Sequence, residues 1–244
     1  MTTQTAHTIF SVVIPARNEE RVIARCIDSV RSAAHNADVS VEIIVVANRC
    51  SDRTEEIATS LGCQIVRDEN KNLGMIRNAG ARVATGDYLV TIDADSWMSR
   101  TMLLRVKQKM SSGRYIGGGV MMFPERWSLG IICTALYLIP IVIYYRISCG
   151  MFFCRREDFW AIGGFDETLH SVEDINFALR LKRFGRSKGK RYSTILSAYI
   201  VTSCRKFDYF GDWYFVLRPH LFLRLLTGRY KNLADKVWFD FEHR

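Results

Sequence analysis

The sequence predicts an α/β fold in which a mostly parallel sheet is covered by helices on both faces and followed by a C-terminal helical extension. Short apolar runs rich in β-branched residues alternate with segments of helical periodicity through residues 10–92. Nearly half of the 244 residues are apolar and only four are proline, so the chain can bury a sizeable core. No Pro-rich or Ser/Gly-rich stretch marks a flexible linker.

The first half of the chain is predicted to alternate between strands and helices. Buried strands are expected at residues 10–15, 41–46, 64–66 and 88–92. Helices are expected at residues 22–30, 57–61 and 74–83, where apolar side chains recur at helical spacing. Ser51 or Asp52 precedes the second helix and can cap it. Strands that alternate with helices along the chain in this way usually run parallel in one sheet.

The second half contains longer and less regular segments. Strands are expected at residues 116–120, 149–154 and 198–202, and a loop at residues 163–167. A helix is expected to begin at Glu173 and to end near Gly185. Leu129–Tyr145 is uncharged and approaches the length of a membrane span.

Composition restricts the compartment and the partners. The formal net charge of +9 favours an anionic partner, and nucleotide sugars, lipid headgroups and nucleic acids all carry the required charge. Seven cysteines, an odd number without a CxxC pair, favour reduced thiols over a disulfide framework or a zinc site. Residues 1–9 lack the basic start and apolar core of a signal peptide. We therefore expect a cytoplasmic protein.

Polar residues follow three of the predicted strands at the point where each strand ends. They are Pro15, Ala16, Arg17, Asn18 and Glu19 after the first strand, Asn48 after the second, and Asp93 and Asp95 after the fourth. Ligands bind beyond the carboxyl ends of the strands in open sheets of this kind. These residues therefore predict a binding site at one edge of the sheet.

The motif Asp93-Ala94-Asp95 follows a buried strand directly. Two carboxylates so placed repel each other unless a cation neutralises them, and their hard oxygen atoms suit Mg²⁺ or Mn²⁺. The alternative is a solvated turn in which Asp95 or Ser96 caps a following helix. The motif taken alone leaves both interpretations open.

Five motifs, in a fixed order over about residues 10–210, resemble those of family 2 glycosyltransferases. They are residues 12–20, Asn72-Leu73-Gly74 with Arg77-Asn78-Ala79-Gly80, Gly86-Asp87-Tyr88 leading to Asp93-Ala94-Asp95, Gly163-Gly164-Phe165-Asp166-Glu167, and Glu173-Asp174 followed by Arg180-Leu181. Single short motifs match by chance, but five in order rarely do. The resemblance implies a Rossmann-like GT-A domain over residues 9–206, with residues 207–244 as an aromatic and basic helical extension packed on that domain or on a membrane surface.

The resemblance also implies a donor site. The residues that would border the nucleotide of a UDP- or GDP-sugar are Pro15, Ala16, Arg17, Asn18, Glu19 and Asn48. Arg77 would approach the diphosphate, and Asp93 and Asp95, with Ala94 between them, would hold Mg²⁺ or Mn²⁺ bridging that diphosphate. A cation and an arginine stabilise the negative charge that grows on the leaving nucleotide.

Inverting transfer requires a carboxylate that takes the proton of the acceptor hydroxyl. The resemblance implies that Asp174 is this general base, with Glu173 as its neighbour or substitute. The alternative role of the two carboxylates is to stabilise the dipole at a helix N-terminus. His170 lies three residues before Glu173 and is a candidate ligand or acceptor contact, although a lone histidine is more often an ordinary polar residue.

The sequence departs from the family at the second strand. That strand usually ends in acidic residues, one of which reads the base, whereas here it runs into Ala47-Asn48-Arg49-Cys50. Asn48 can pair with a base through its amide, which leaves the nucleobase open. Ser203, Arg205 and Lys206 follow the last predicted strand and form either a phosphate grip or a solvated basic turn.

A transmembrane interpretation of Leu129–Tyr145 contradicts this site, because a single crossing would separate Asp93 and Asp95 from Asp174. Two interpretations remain: a buried or acceptor-lining helix interrupted near Pro140, or a segment lying in the membrane interface. The C-terminal extension interleaves aromatic and basic residues, which suits an anionic membrane surface or packing over the core. These residues are Tyr209, Phe210, Trp213, Tyr214, Phe215, Leu217, Arg218, Phe222, Leu223, Arg224, Arg229 and Lys231.

Two other functions compete with glycosyl transfer. A nucleotidyltransferase would share the sheet and the metal but is expected to carry a glycine-rich phosphate loop, which residues 15–19 are not. A non-catalytic membrane or anion-binding module would explain the charge but not the convergence of polar residues, and no nucleic-acid-binding motif is recognisable. We therefore expect a cytoplasmic glycosyltransferase, with peripheral contact at the inner face of the membrane. Its acceptor is unidentified, a lipid-linked hydroxyl being one candidate.

Overall fold

The helices and strands follow one another in the order predicted for an α/β chain. The computed structural model describes residues 9–148, 150–226 and 232. The strands are β1 (Ile9–Ala16), β2 (Ser40–Asn48), β3 (Gln64–Asp68), β4 (Tyr88–Ile92), β5 (Ser96–Met98), β6 (Tyr115–Pro124), β7 (Met151–Arg155) and β8 (Arg191–Thr202). The helices are α1 (Ile23–Ala37), α2 (Thr54–Ser60), α3 (Leu73–Val83), α4 (Met102–Ser111), α5 (Leu129–Tyr145), α6 (Arg156–Ala161), α7 (Glu173–Ser187), α8 (Arg205–Phe210) and α9 (Pro219–Leu226).

These strands form one sheet in the order β3-β2-β1-β4-β7-β6-β8-β5. Strands β1 to β4 run parallel, as do β6 and β8, whereas β7 is antiparallel to β4 and β6, and β5 is antiparallel to β8. Six of the eight described strands therefore point the same way, which confirms the mostly parallel sheet. We call the edge at which these six strands end the carboxyl edge, and β7 begins there.

Alternate residues of β1 face two separate apolar layers, so helices cover both faces of the sheet as predicted. Phe10, Val12 and Ile14 are fully buried in the layer that contains α1 and α4. Val13 points the other way, into the layer that contains α3, α6 and α7. Both faces of a central strand must be largely apolar for this arrangement, which is why Ser11 is the only polar residue of β1.

Helix α3 lies unusually close to the sheet at Gly80. A Cβ atom added there would lie 2.5 Å from Cγ1 of Val13 and 2.7 Å from Cγ2 of Val46. Alanine normally stabilises a helix interior relative to glycine by about 1 kcal/mol. Gly80→Ala is expected instead to destabilise the protein by about 1–3 kcal/mol through overpacking, measured as the urea midpoint.

An alanine control separates this overpacking from helix propensity. Ser111→Ala lies in the exposed last turn of α4 and is expected to leave the midpoint unchanged or slightly raised. A midpoint for Gly80→Ala at or above that of the wild type would contradict the close approach of α3 to the sheet.

The structure differs from the predicted elements directly after β4. Asp95 leads into β5, which pairs with β8, so the interpretation of Asp95 or Ser96 as a helix cap is wrong. A three-residue strand is too short to show periodicity in sequence. Asp52 does accept a hydrogen bond from the N–H of Thr54 at the start of α2, at 3.0 Å.

Only part of the predicted C-terminal extension is described. Of residues 207–244, the structure describes 207–226, which include the end of α8 and the helix α9, and residue 232. Residues 1–8, 149, 227–231 and 233–244, which include Arg229 and Lys231, lie outside the described residues, as do the side chains of Phe222 and Leu223. In the part of the chain that is described, no helix combines the length and apolar character needed to cross a bilayer. The six cysteines in that part carry free thiols, in agreement with the sequence.

Candidate functional site

One buried guanidinium joins the end of β4 to the beginning of α7. Arg77 of α3 donates hydrogen bonds from Nη2 to Oδ1 of Asp93 at 2.8 Å, and from Nη1 to Oε1 of Glu173 at 2.9 Å and Oδ1 of Asp174 at 2.7 Å. Its side chain is 3% exposed. We call these four residues the Arg77 cluster. The guanidinium faces three carboxylates rather than the open surface where a diphosphate was expected to meet it.

Two asparagines of the α3 motif tie the loop before α7 to this helix. Asn72 caps α3 and donates from its amide to the carbonyl oxygens of Glu167 and Leu169, both at 2.9 Å. Asn78 donates to the carbonyl oxygen of Phe165 and accepts from its N–H, both at 2.9 Å. The loop therefore arrives at α7 in a fixed position relative to Arg77.

The same loop is held from the other side by α7 itself. Arg180 donates to the carbonyl oxygens of Ile162 at 2.6 Å and Gly164 at 2.7 Å. Val172, the residue before α7, has φ 57° and ψ 16°. A β-branched residue in this left-handed region is strained by about 1–3 kcal/mol, which surrounding structure must offset. The strain lies directly before Glu173 and Asp174.

The two carboxylates at the start of α7 are differently exposed. The side chain of Glu173 is 10% exposed and that of Asp174 is 23% exposed. Burial raises the pKa of Asp174 to about 7, and the charges of Glu173 and Asp93 add to this, although Arg77 opposes it. A carboxyl group with such a pKa can accept a proton at neutral pH, as a general base must.

The second acidic position, Asp95, lies among cations from α8. Arg205 makes a bidentate ion pair with Glu19, at 2.5 and 2.7 Å, and its Nη2 lies 3.8 Å from Oδ2 of Asp95. Burial raises the pKa of Asp95, which the charges of Lys206 and Arg205 oppose and that of Asp93 reinforces. Burial also raises the pKa of Glu19 to about 7. Thus α8 closes the site over the end of β1, and Arg205 and Lys206 belong to it.

The donor atoms at this position fit a hard divalent cation. Asp95 is 17% exposed, and its carboxylate lies 3.5 Å from the Ser96 hydroxyl and 3.8 Å from Arg205. Across residues 9–148 and 150–226, no three His, Cys, Asp or Glu side chains are grouped to hold a metal by themselves. Mg²⁺ is usually bound by one or two carboxylates together with substrate phosphates. Asp93 and Asp95 therefore suit a metal site that is completed by the phosphate groups of a bound substrate.

The turn after β1 is well ordered by contacts with the segment after β2. Pro15 and Ala16 are the last, buried residues of β1, and Arg17 is half-buried beyond them. Asn18 has a left-handed φ of 52°, and its Oδ1 accepts from the N–H of Ser51 at 2.8 Å. The predicted nucleotide-border residues therefore do meet at the carboxyl edge.

Asn48 is engaged within the chain instead of facing an open site. Its Nδ2 donates to the carbonyl oxygens of Asp68 and Asn70, each at 2.9 Å, and lies 3.1 Å from Oδ1 of Asp68. Its Oδ1 accepts from the guanidinium of Arg49 at 3.1 Å. A base would have to displace one of these bonds to reach the amide, because Asn48 holds the ends of β2 and β3 together.

Sequence reasoning missed two features of this site. Asp68 supplies a carboxylate at the end of β3, one strand away from the expected acidic position, and it lies outside the five motifs. Asn72 and Asn78 belong to one of the motifs, but only the folded chain shows that their side chains position the loop before α7. His170 lies in that loop, and its Nδ1 is buried with no hydrogen-bond partner among the described residues.

A family profile and several known proteins resemble this chain. The profile of Glycosyl transferase family 2 matches residues 11–163. The low-salt glycan biosynthesis hexosyltransferase Agl6 of Haloferax volcanii is 34% identical over 103 residues, which are 42% of this chain and 25% of that protein. The 4,4'-diaponeurosporenoate glycosyltransferase of Staphylococcus haemolyticus is 34% identical over 92 residues, or 35% of this chain and 24% of that protein. The matches thus span about a quarter of these relatives' length.

Solved structures share the fold at low sequence identity. The mannosyltransferase PcManGT of Pyrobaculum calidifontis, in complex with GDP-Man and Mn²⁺, has a TM-score of 0.65 and 17% identity, covering 96% of this chain and 74% of that one. S. aureus TarS 1-349 in complex with UDP-GlcNAc has a TM-score of 0.65 and 18% identity, covering 94% and 70%. These similarities confirm the predicted GT-A fold.

Proposed function

The chain belongs to Glycosyl transferase family 2, and from that premise we propose that it is an inverting, metal-dependent enzyme that moves a sugar from a nucleotide-sugar donor to an acceptor hydroxyl. Family membership favours glycosyl transfer over the nucleotidyltransferase and the non-catalytic module. The domain of residues 9–206 is part of this proposal, because it includes Arg205 and Lys206, the first two residues of α8, which lie at the site.

The Arg77 cluster is the observation that carries the mechanism. One guanidinium contacts both Asp93, beside the proposed metal position, and Asp174, the proposed base. Arg77 therefore holds the proposed base, Asp174, on one side of its guanidinium and Asp93, beside the proposed metal position, on the other. In a single displacement the acceptor attacks from the face opposite the leaving nucleotide, and Asp174 takes its proton. Burial raises the pKa of this base, and the charge of the neighbouring Glu173 adds to that effect.

For the donor we propose a UDP- or GDP-sugar. Support comes from the two structural neighbours, whose complexes contain UDP-GlcNAc and GDP-Man. The turn after β1, with Arg17 and Asn18, and the cations Arg205 and Lys206 surround the same carboxyl edge. Guanidinium and ammonium groups there suit phosphate oxygens.

A divalent ion at Asp93 and Asp95 would supply Lewis-acid stabilisation of the leaving diphosphate. The chain's own contribution is to hold these two carboxylates in place. Arg77 fixes Asp93, and pairing of Ser96 with Thr202 fixes the segment after Asp95. Mn²⁺ or Mg²⁺ is the expected ion, supported by hard oxygen donors and by the Mn²⁺ of the structural neighbour PcManGT.

The metal requirement gives a direct test. Hydrolysis or transfer of donor from a panel of nucleotide sugars is expected to need added Mn²⁺ or Mg²⁺ and to stop in chelator. Asp95→Asn is expected to lower the rate by about tenfold or more, because Asp93 remains as the sole carboxylate. It is also expected to reduce the rise in thermal midpoint that Mn²⁺ plus UDP or GDP gives the wild type.

Asp28→Asn is the matched control, since Asp28 is an exposed carboxylate on α1. It is expected to behave as the wild type in both assays. Full activity in chelator together with full activity of Asp95→Asn would overturn the metal-dependent mechanism.

We extend the proposal to the acceptor and the location. A lipid-linked hydroxyl is the proposed acceptor, and a peripheral position at the cytoplasmic face of a membrane is the proposed location. The exposed apolar surface of α5 supports both.

A further inference from the structure

Helix α5 has no charged residue and leaves its second half uncovered. The described side chains between positions 136 and 145 are all exposed, from 38% at Tyr145 to 68% at Ile143 and 80% at Tyr144. The first turns are partly covered, since Gly130, Ile131 and Thr134 are buried, whereas Leu129 and Ile132 are exposed. A helix that is apolar on every side is stable only when apolar material covers it.

The position of α5 follows from the sheet topology. It connects β6 to β7, and because β7 runs antiparallel to β6, both ends of this connection lie at the carboxyl edge. Its start is fixed by Arg126, which pairs with Asp208 at 2.6 Å and Asp212 at 2.7 Å. Its end is held by Lys182 of α7, which donates to the carbonyl oxygen of Tyr145 at 2.5 Å. The helix therefore lies between α8 and α7, the two helices that carry the site's cations and its base.

Aromatic side chains with polar tips lie at the start of α5 and along the helix. Trp127 is 60% exposed and Trp213 is 46% exposed, and both lie near its first turns, where Gly130 touches Asp212. Tyr137, Tyr144 and Tyr145 are exposed on the helix itself. Tryptophan and tyrosine are enriched where one end of a side chain is in lipid and the other in water.

Exposed arginines occur at the end of α5 and in the segment that follows Trp213. Arg146 follows α5 directly, and Arg218 lies over the ring of Tyr214 at 4.6 Å. With Arg224 on α9 they add to a chain whose formal net charge is +9. Two copies of this surface would bring like charges together, whereas anionic headgroups would meet opposite charges.

We propose that α5, with Trp127 and Trp213 at its beginning and Arg146 and Arg218 at its border, docks the protein on an anionic lipid bilayer. At 17 residues α5 is about 26 Å long, so it lies in the interface with its exposed half among the headgroups and upper acyl chains. The carboxyl edge then faces the bilayer surface. The bilayer also supplies the acceptor, a hydroxyl carried by a lipid, which reaches Asp174 from the membrane surface. This last step rests on the proposed function.

Vesicle sedimentation tests the docking without any donor. The full chain is expected to bind vesicles of phosphatidylcholine and phosphatidylglycerol, and to bind pure phosphatidylcholine vesicles less. Leu136→Glu and Ile143→Glu, both at exposed positions, are expected to weaken binding by about tenfold or more. Arg146→Gln and Arg218→Gln are each expected to weaken binding to the anionic vesicles by about fivefold.

Ile9→Glu is the control, since Ile9 is an exposed apolar residue at the start of β1, on the opposite edge of the sheet. It is expected to bind as the wild type. Circular dichroism and the thermal midpoint establish that each variant folds. Failure of the wild type to bind, or equal binding by Ile143→Glu, would overturn the docking. Sedimentation as a dimer that Ile143→Glu dissociates would overturn it too, in favour of a second copy.

Donor hydrolysis in the absence of vesicles separates this inference from the proposed function. Ile143→Glu is expected to hydrolyse the donor at the wild-type rate while losing vesicle binding. Vesicle binding without any donor hydrolysis would leave the docking intact and count against the glycosyltransferase mechanism. Donor hydrolysis without vesicle binding would leave the glycosyltransferase mechanism intact and overturn the docking.

Discussion

Asp174→Asn is expected to lower the rate of sugar transfer by about 10²- to 10⁴-fold, the usual contribution of a general base. The amide keeps the oxygen that accepts from Arg77 but cannot take a proton from the acceptor. Folding is expected to persist, because burial already raises the pKa of Asp174 to about 7 and the site therefore tolerates an uncharged group. The measurement is kcat with a panel of donors at saturating Mn²⁺, beside the thermal midpoint.

Glu173→Gln is the matched control, one residue away and bound to the same Nη1 atom of Arg77. We expect it to retain most of the activity. A larger loss in Glu173→Gln than in Asp174→Asn would assign the base to Glu173 instead. Wild-type rates in both variants would exclude a carboxylate base at the start of α7.

The same pair of variants makes a pH dependence testable. Activity needs the ionised form of Asp174, so kcat/KM is expected to rise with pH through about 7 and then level off. The negative charge of Glu173 helps to hold that pKa up, so Glu173→Gln is expected to move the rise to lower pH. Because the folded state binds this proton more tightly than the unfolded state, the stability contribution of Asp174 falls as pH rises from about 4 to about 7.

Arg77→Met is expected to destabilise the protein by about 3–5 kcal/mol and to abolish activity. The change removes one partner from a buried ionic unit and leaves Asp93, Glu173 and Asp174 without their shared cation. It also separates the end of β4 from the start of α7. Urea unfolding gives the stability, and donor hydrolysis gives the activity of the fraction that remains folded.

Helix α3, which carries Arg77, also carries the matched control Arg82. The Arg82 side chain is 58% exposed and pairs with Glu167 at 2.9 Å. Arg82→Met removes the same charge and adds the same side chain, yet it is expected to cost at most about 1 kcal/mol. Equal destabilisation by the two substitutions would show that the Arg77 cluster contributes no more than a surface ion pair.

The parallel half of the fold could be predicted because its strands are buried on both faces. β1, β2 and β4 appear in the sequence as mostly apolar runs, and the polar residues that follow them mark their carboxyl ends. The sequence also placed the start of α7 at Glu173, where the structure has it. β5 could not be predicted, since it is three residues long and is defined by its pairing with β8.

The site was harder to predict because hydrogen-bond partners depend on tertiary contacts. Arg77 was expected at a diphosphate, and only the folded chain shows that Glu173 and Asp174, some hundred positions later, reach its guanidinium. Asn48 was expected near a base, but the neighbouring strand supplies acceptors for its amide. The two interpretations of Leu129–Tyr145 also could not be separated from sequence, since burial and exposure leave the same apolar composition.

The reversed direction of β7 has a consequence for how such enzymes diverge. The connection that contains α5 leaves the sheet and returns to it at the carboxyl edge. It could therefore be lengthened or replaced without changing the order or direction of any strand. The proposed donor half, built on β1 to β4, would keep its geometry through such exchanges. Descendants of one ancestor could thus change what they glycosylate, and on which surface they work, while inheriting the same handling of the nucleotide.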